Sequence, residues 1–175
     1  MLQKVDVKGN VGKVFEYFGE GVSTLSVPDR ATITNMGTET GCTTSIFPSD
    51  EVTRQFLKAQ GREEDFVPLM ADPDAVYDEV IEINLSDIEP MVALPHSPGS
   101  VMRVREVGPL RVQQVAIGSC TNSSLRDLKI VAKILKGKTI SDKLHMFISP
   151  GSRQVVEHLI NDGEYVDLVR SGARI

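Results

Sequence analysis

The chain has 175 residues, of which 41% are hydrophobic and 25% are charged, and its formal net charge is −5. This balance is typical of a globular protein that buries a core as one domain or as two small ones. Because the charge is acidic and no basic run dominates a face, we expect no nucleic-acid partner.

The cysteine content and the hydropathy pattern indicate the cellular compartment in which the protein is expected. Only two cysteines are present, far apart in sequence, and no apolar run reaches the roughly 18 residues that a membrane span needs. The first residues also lack the apolar segment of a secretion signal. We therefore expect a cytoplasmic protein with reduced thiols and no membrane contact.

The first half of the chain is predicted to form short strands and capped helices. Ser26, Pro28 and Asp29 are typical of a helix start and predict a helix over about residues 27–36. Ser49 is predicted to cap a second helix over residues 50–60. The predicted strands of this half are residues 11–18, 42–48 and 76–85.

Prolines interrupt residues 86–110 and predict a link between two α/β units, residues 1–85 and residues 111–175. In the second unit, residues 111–118 and 143–148 read as strands, and each leads through a polar turn into a helix. This repetition predicts a small parallel sheet.

Cys120 follows directly after the first of these predicted strands. Asn122 or Ser123 is expected to cap the next helix, so the thiol faces a helix amino terminus, where its pKa should fall. Cys120 is therefore a candidate nucleophile or metal ligand. A small apolar filler at a strand end is an equally weighted alternative from these residues alone.

Asn35 and Glu39 are four residues apart, so they share one face if the predicted helix persists that far. Gly37 between them instead favours a helix end, with a C-terminal cap and a surface carboxylate. From the residues alone, this second interpretation is the stronger one. Cys42, a few residues on, reads as a packed core thiol.

Two segments carry a resemblance to a known family. Residues 118–124, Gly-Ser-Cys-Thr-Asn-Ser-Ser, resemble the segment that supplies one cysteine ligand to the iron–sulfur cluster of the aconitase family. Residues 31–48, Ala-Thr-Ile-Thr-Asn-Met-Gly-Thr-Glu-Thr-Gly-Cys-Thr-Thr-Ser-Ile-Phe-Pro, resemble a second signature of that family. The resemblance implies an α/β fold of two small, three-layer-like units, the second with a parallel sheet.

The resemblance also implies a site and a reaction. It makes Cys120 a ligand of a four-iron, four-sulfur (4Fe-4S) cluster, which the family holds with three cysteines. It places Asn35 and Glu39 in the active site, where Glu39 takes part in the hydrogen bonding of the water or hydroxyl on the open iron. With the resemblance, this active-site interpretation is preferred over a C-terminal cap and a surface carboxylate. The implied activity is that of a hydro-lyase of the tricarboxylic acid cycle, which interconverts the tricarboxylic acids citrate and isocitrate through cis-aconitate.

The sequence departs from the family pattern because it stops before the expected Cys-x-x-Cys pair. We therefore expect an internal portion of a longer protein, inactive alone and completed by the missing domains of the same protein. One alternative is a portion of a homoaconitase or of a 3-isopropylmalate dehydratase large subunit, although Ser123, Ser124 and residues 43–48 look more like aconitase. An alternative of another class is a non-catalytic RNA-binding or interaction module.

Overall fold

The computed structural model describes all residues from Met1 to Ile175 and divides them into two compact units, Met1–Gly108 and Pro109–Ile175. Both units combine helices with small sheets, which confirms the predicted α/β class. The segment that was predicted as a proline-rich link, residues 86–110, lies mostly within the first unit. None of the helices of the chain is long and apolar enough to cross a membrane.

The first unit contains three α-helices and four strands. The helices are α1 (Leu2–Val5), α2 (Val27–Gly37) and α3 (Glu51–Ala59), and the strands are β1 (Val14–Glu16), β2 (Thr44–Ile46), β3 (Met91–Ala93) and β4 (Val101–Arg103). Strands β1 and β2 pair in parallel, whereas β3 and β4 form an antiparallel pair. Short 3-10 helices lie at Glu20–Thr24, Thr38–Thr40, Glu63–Asp65, Leu85–Asp87 and Val104–Glu106.

Helix starts in this unit follow the capping chemistry. The prediction for α2 is confirmed, because Ser26 and Asp29 form a reciprocal capping box at its first turn. The predicted cap of α3 is wrong by one residue: Asp50, and not Ser49, accepts the hydrogen bond from the Thr53 amide. Ser49 instead pairs by its backbone with Leu69.

The predicted strand over residues 76–85 is wrong. This segment has no regular structure up to the 3-10 helix Leu85–Asp87, and nearly all of its side chains are exposed. An alternating pattern forms a strand only where a neighbouring strand accepts its backbone hydrogen bonds. Tyr77 is the half-buried exception, and its ring stacks on Phe18.

The buried residues of the first unit are mostly polar. Asn10, Arg30 and Thr40 are at most 4% exposed, and Val22 is the buried apolar side chain beside them. Buried polar groups must be hydrogen-bonded, since an unpaired one carries a large desolvation cost. Directional hydrogen bonds therefore organise this unit more than an apolar core does.

The second unit has an apolar core on one face of a parallel sheet. Its strands are β5 (Gln114–Gly118) and β6 (His145–Ser149), and its helices are α4 (Leu125–Leu135), α5 (Arg153–Asn161) and α6 (Glu164–Arg170). The two strands pair in parallel over five residues each, as predicted. The core consists of Leu128, Ala132, Ile148, Leu159 and Leu168.

The end of the chain adds to this sheet. The Ile148 amide donates to the Arg174 carbonyl over 2.7 Å, and the Arg174 amide donates to the Met146 carbonyl over 2.9 Å. The pairing of Phe147 with Arg174 is parallel. Residues 173–175 therefore run beside β6 in the same direction as β5 and β6.

Candidate functional site at the carboxyl edge of the parallel sheet

Cys120 lies in a turn between β5 and α4 that its neighbours brace. Ser119 adopts a positive φ of 68°, which turns the chain sharply after Gly118. The Gly118 amide donates to the Asn122 side-chain oxygen over 2.9 Å, and the Ser123 hydroxyl donates to the Ser119 carbonyl. These two bonds fix the turn on both sides of the cysteine.

The expectation that Asn122 or Ser123 caps α4 is wrong. The N-cap is Ser124, whose hydroxyl accepts from the Asp127 amide while the Asp127 carboxylate accepts from the Ser124 amide. Several neighbouring residues could cap the helix by type, and only the turn geometry selects one of them. Asn122 and Ser123 hold the turn instead.

Cys120 is exposed, and neither of the two cysteines forms a disulfide. The alternative of a buried apolar filler is therefore wrong for Cys120, whereas its role as a ligand stays a prediction. Cys42 is half-buried, and its thiol donates to the Gly37 carbonyl over 3.3 Å. This contact agrees with the expectation of a packed thiol.

Two glycines let the loops at this edge approach closely. A Cβ atom on Gly118 would lie 2.8 Å from the Ser149 Cβ atom, and one on Gly151 would lie 3.0 Å from the Ser123 hydroxyl oxygen. The Gly151 amide also donates to the Ser123 carbonyl over 3.2 Å. The loop after β6 therefore packs directly on the cysteine turn, a role for these glycines that sequence reasoning missed.

An open groove of about 900 Å³ is lined by both strands, the cysteine turn and the last residues of the chain. Its lining combines small and polar residues with Phe147 and Arg174, whose guanidinium carbon lies 5.8 Å from the centre of the Phe147 ring. The lining residues are Ala116, Ile117, Gly118, Ser119, Thr121, Asn122, Phe147, Ile148, Ser149, Arg174 and Ile175. Ligands of open parallel sheets typically bind at the carboxyl ends of the strands.

Asn35 and Glu39 lie on consecutive turns of one segment in the first unit. The α-helix ends at Gly37 and tightens into the 3-10 helix Thr38–Thr40, although the backbone of Gly37 and Thr38 stays right-handed. Glu39 therefore follows Asn35 by about one turn, roughly 6 to 7 Å along the axis. Asn35 is half-buried and Glu39 is exposed.

Buried polar groups that sequence reasoning missed support the segment around Glu39. The Asn10 side-chain amide donates to the Thr40 carbonyl over 2.9 Å, and the Thr40 hydroxyl donates to the Gly37 carbonyl over 2.6 Å. Neither residue belongs to a charged or metal-ligating type that draws attention in a sequence. Their only sequence signal is a position beside glycines that permit turns.

The donor atoms of this chain fit one ligand of a metal cluster but not a complete set. No group of three or more histidine, cysteine, aspartate or glutamate side chains converges where it could hold a metal ion. Iron–sulfur clusters are held by several thiolates, and the exposed Cys120 can supply one of them.

A mixed α/β chain with an exposed cysteine in a braced turn at a parallel sheet edge matches what the family resemblance implies. The whole chain, residues 1–175, matches the Aconitase family (aconitate hydratase). The chain belongs to this family.

Two curated relatives of the chain are large subunits of 3-isopropylmalate dehydratase. The 3-isopropylmalate dehydratase large subunit 1 of Thermotoga maritima is 42% identical over 169 residues, which cover 95% of this chain and 40% of that protein. Large subunit 2 of the same enzyme from Rubrobacter xylanophilus is 39% identical over 173 residues, which cover 99% of this chain and 41% of that protein. The chain thus spans about 41% of the length of such curated relatives.

Proposed function

We propose that this chain is part of the large subunit of an aconitase-family hydro-lyase and that it contributes Cys120, Asn35 and Glu39 to the active site. The observation that carries the proposal is the exposed Cys120 in a turn fixed by backbone and side-chain hydrogen bonds at a sheet edge. Family membership over the whole chain supports the same assignment.

Each of the three residues has a distinct task in this proposal. Cys120 supplies one thiolate to a 4Fe-4S cluster, and its braced turn holds the sulfur in place before the cluster forms. Asn35 and Glu39 orient a water or hydroxyl by hydrogen bonding from consecutive turns of one segment. When bound, the cluster supplies a Lewis-acidic iron toward the hydroxyl group of the substrate.

The substrate that we propose is 3-isopropylmalate. The expectation from sequence was citrate and isocitrate, with an isopropylmalate dehydratase as an alternative. The relatives described above favour the alternative, because they are named 3-isopropylmalate dehydratase large subunits. Citrate remains the second candidate, since residues 43–48 and the two serines after the cysteine motif look more like aconitase.

We also propose that the whole protein pairs with a smaller subunit, because its relatives are named large subunits. The remaining cluster ligands, a proton-abstracting base and carboxylate-binding arginines are assigned to parts of the assembly outside these residues. A nucleic-acid-binding function finds no support in a net charge of −5. We further propose a cytoplasmic location, because two cysteines far apart in sequence are typical of proteins that keep their thiols reduced.

The test is an anaerobic assay of the full-length protein together with its small subunit. The conjugated double bond of the dehydrated product absorbs in the ultraviolet, so turnover of 3-isopropylmalate, citrate and isocitrate can be followed in parallel. We expect kcat/KM for 3-isopropylmalate to exceed that for citrate by about tenfold or more. Faster turnover of citrate and isocitrate would refute the substrate assignment and favour the second candidate.

A further inference from the structure

We propose that Asn10 is a positioning residue for Glu39, and that it acts through the carbonyl group of Thr40. The inference rests on the proposed function, in which Glu39 takes part in the reaction. It assigns a role to a residue that lies outside both signature segments of the chain.

The contact between the two segments is buried. Asn10 is 3% exposed and Thr40 is fully buried, and the Asn10 side-chain nitrogen lies 2.9 Å from the Thr40 carbonyl oxygen. The same nitrogen lies 3.2 Å from the Val5 carbonyl oxygen. A side-chain amide thus joins the beginning of the chain to a turn thirty residues away in sequence.

The Thr40 carbonyl needs this partner because of its place at a helix end. The last carbonyl groups of a helix have no partner within the helix, and here the chain turns away at Gly41, whose φ is 76°. An unpaired carbonyl at a fully buried position would carry the cost of its lost hydration. The Asn10 amide supplies the missing donor, so it stabilises this particular turn geometry.

The Thr40 side chain completes the restraint on both sides. Its hydroxyl donates to the Gly37 carbonyl over 2.6 Å and accepts from the Cys42 amide over 3.3 Å. Glu39 lies between these fixed points, with a restrained backbone and an exposed side chain. This is the arrangement that a reacting carboxylate requires: a rigid base and an open head group.

The loop that carries Asn10 is itself tied to the segment beyond the turn. The Gly12 amide donates to the Thr43 hydroxyl over 2.9 Å, and the Thr43 amide donates to the Lys13 carbonyl over 2.9 Å. The Asn10 side chain suits this position because its amide nitrogen donates to carbonyl oxygens, whereas an aspartate would place a carboxylate oxygen against them.

The first experiment is a double-mutant cycle in the full-length, cluster-loaded enzyme. Asn10→Ala is expected to lower kcat about tenfold or more, with KM nearly unchanged, because small displacements of a reacting group have large effects on rate. In a Glu39→Gln background the same substitution should lower kcat no further, since Asn10 acts through Glu39. Asn10→Asp, which preserves the side-chain volume, should reproduce the loss seen with Asn10→Ala.

The matched control is Asp50→Asn, which weakens the ion pair between Asp50 and the buried Arg30 in the first unit. It should leave kcat unchanged in both backgrounds, even if it lowers the melting temperature as much as Asn10→Ala does. The visible absorption of the cluster should be the same in all of these variants. A general loss of stability would lower kcat equally with and without the Glu39 carboxylate.

A second readout does not depend on turnover. The Gly41 amide donates to the Thr38 carbonyl and the Cys42 amide donates to the Thr40 hydroxyl, in the turn that Asn10 holds. Hydrogen exchange measured by mass spectrometry on residues 37–43 should therefore be faster in Asn10→Ala than in the wild type. Asp50→Asn should leave this peptide unchanged. Unchanged exchange in Asn10→Ala would overturn the inference whatever the substrate is.

The outcomes separate this inference from the proposed function. If Glu39→Gln alone leaves kcat intact, the proposed role of Glu39 is wrong and the inference fails with it. If Glu39→Gln lowers kcat and Asn10→Ala lowers it further by the same factor as in the wild type, only the positioning role is wrong. If Glu39→Gln lowers kcat and Asn10→Ala lowers it no further in that background, both the role of Glu39 and the positioning role of Asn10 are supported.

Discussion

Replacing Arg30 by alanine is predicted to destabilise the first unit more than any exposed substitution in it. Arg30 is 4% exposed, and its guanidinium donates to the Val22 carbonyl over 3.0 Å, the Leu25 carbonyl over 3.1 Å and the Pro48 carbonyl over 3.1 Å. It also forms a bidentate pair with the Asp50 carboxylate, with N···O distances of 2.9 and 2.7 Å. One side chain therefore links the 3-10 helix Glu20–Thr24, α2 and the start of α3.

The expected loss follows from the partners that the substitution leaves behind. Removing one member of a buried ion pair costs about 3–5 kcal/mol, and each buried carbonyl left without a donor costs about 1–3 kcal/mol. Because the Asp50 side chain is 22% exposed and water can reach part of it, we expect a total loss of about 3 kcal/mol.

Urea unfolding followed by far-ultraviolet circular dichroism measures this loss as a change in the free energy of unfolding. The control is Arg54→Ala, because the Arg54 side chain is 48% exposed and pairs with Glu51 and Glu63 at the surface of α3. Exposed ion pairs contribute little, so the control should unfold almost like the wild type. Equal losses in the two variants would refute the organising role of Arg30.

Three further predictions concern acid stability, loop packing and the domain boundary. The hydrogen bond from Arg30 holds the pKa of Asp50 below its usual value, so this stabilisation should be complete above about pH 4 and lost as pH falls through the folded-state pKa. In pH-dependent unfolding, Asp50→Asn should flatten that decline. Gly118→Ala should lower the stability of the second unit by about 1–3 kcal/mol, whereas Gly108→Ala, with open space around it, should be neutral in the same assay. Limited proteolysis should cut first within residues 86–110.

Each of these has a clear contrary result. An unchanged acid decline in Asp50→Asn would show that other carboxylates dominate it. Equal effects of the two alanine substitutions would contradict close packing against β6. First cleavage within residues 112–136 would refute the proposed boundary.

Local features were predictable from the sequence because local chemistry determines them. The start of α2 was read correctly from Ser26, Pro28 and Asp29, since a capping box involves only neighbouring residues. The parallel pairing of β5 with β6 was read correctly because each strand leads through a turn into a helix. The expected cap lies one residue too early at α3 and one or two residues too early at α4, because adjacent residues that can all cap a helix compete for that position.

Long-range polar contacts were not predictable in this way. The partners of Asn10 and Arg30 lie up to 30 and 23 residues away, and a sequence pattern gives no direction for a side-chain hydrogen bond. The expected strand at residues 76–85 failed for a related reason, since its alternation does not supply a partner strand. The segments that carry Cys120, Asn35 and Glu39 were found through family resemblance, whereas the groups that support them emerged only from the fold.

We propose that Cys120 is one of the thiolate ligands of a 4Fe-4S cluster. Anaerobic reconstitution with iron and sulfide tests it on the full-length protein, on its Cys120→Ala and Cys42→Ala variants, and on residues 1–175 alone. The readouts are the iron content and the broad visible absorption of the cluster. We predict a stable cluster in the wild type and in Cys42→Ala, and none in Cys120→Ala or in residues 1–175 alone. A full complement of iron and undiminished absorption in Cys120→Ala would show that Cys120 is not a cluster ligand.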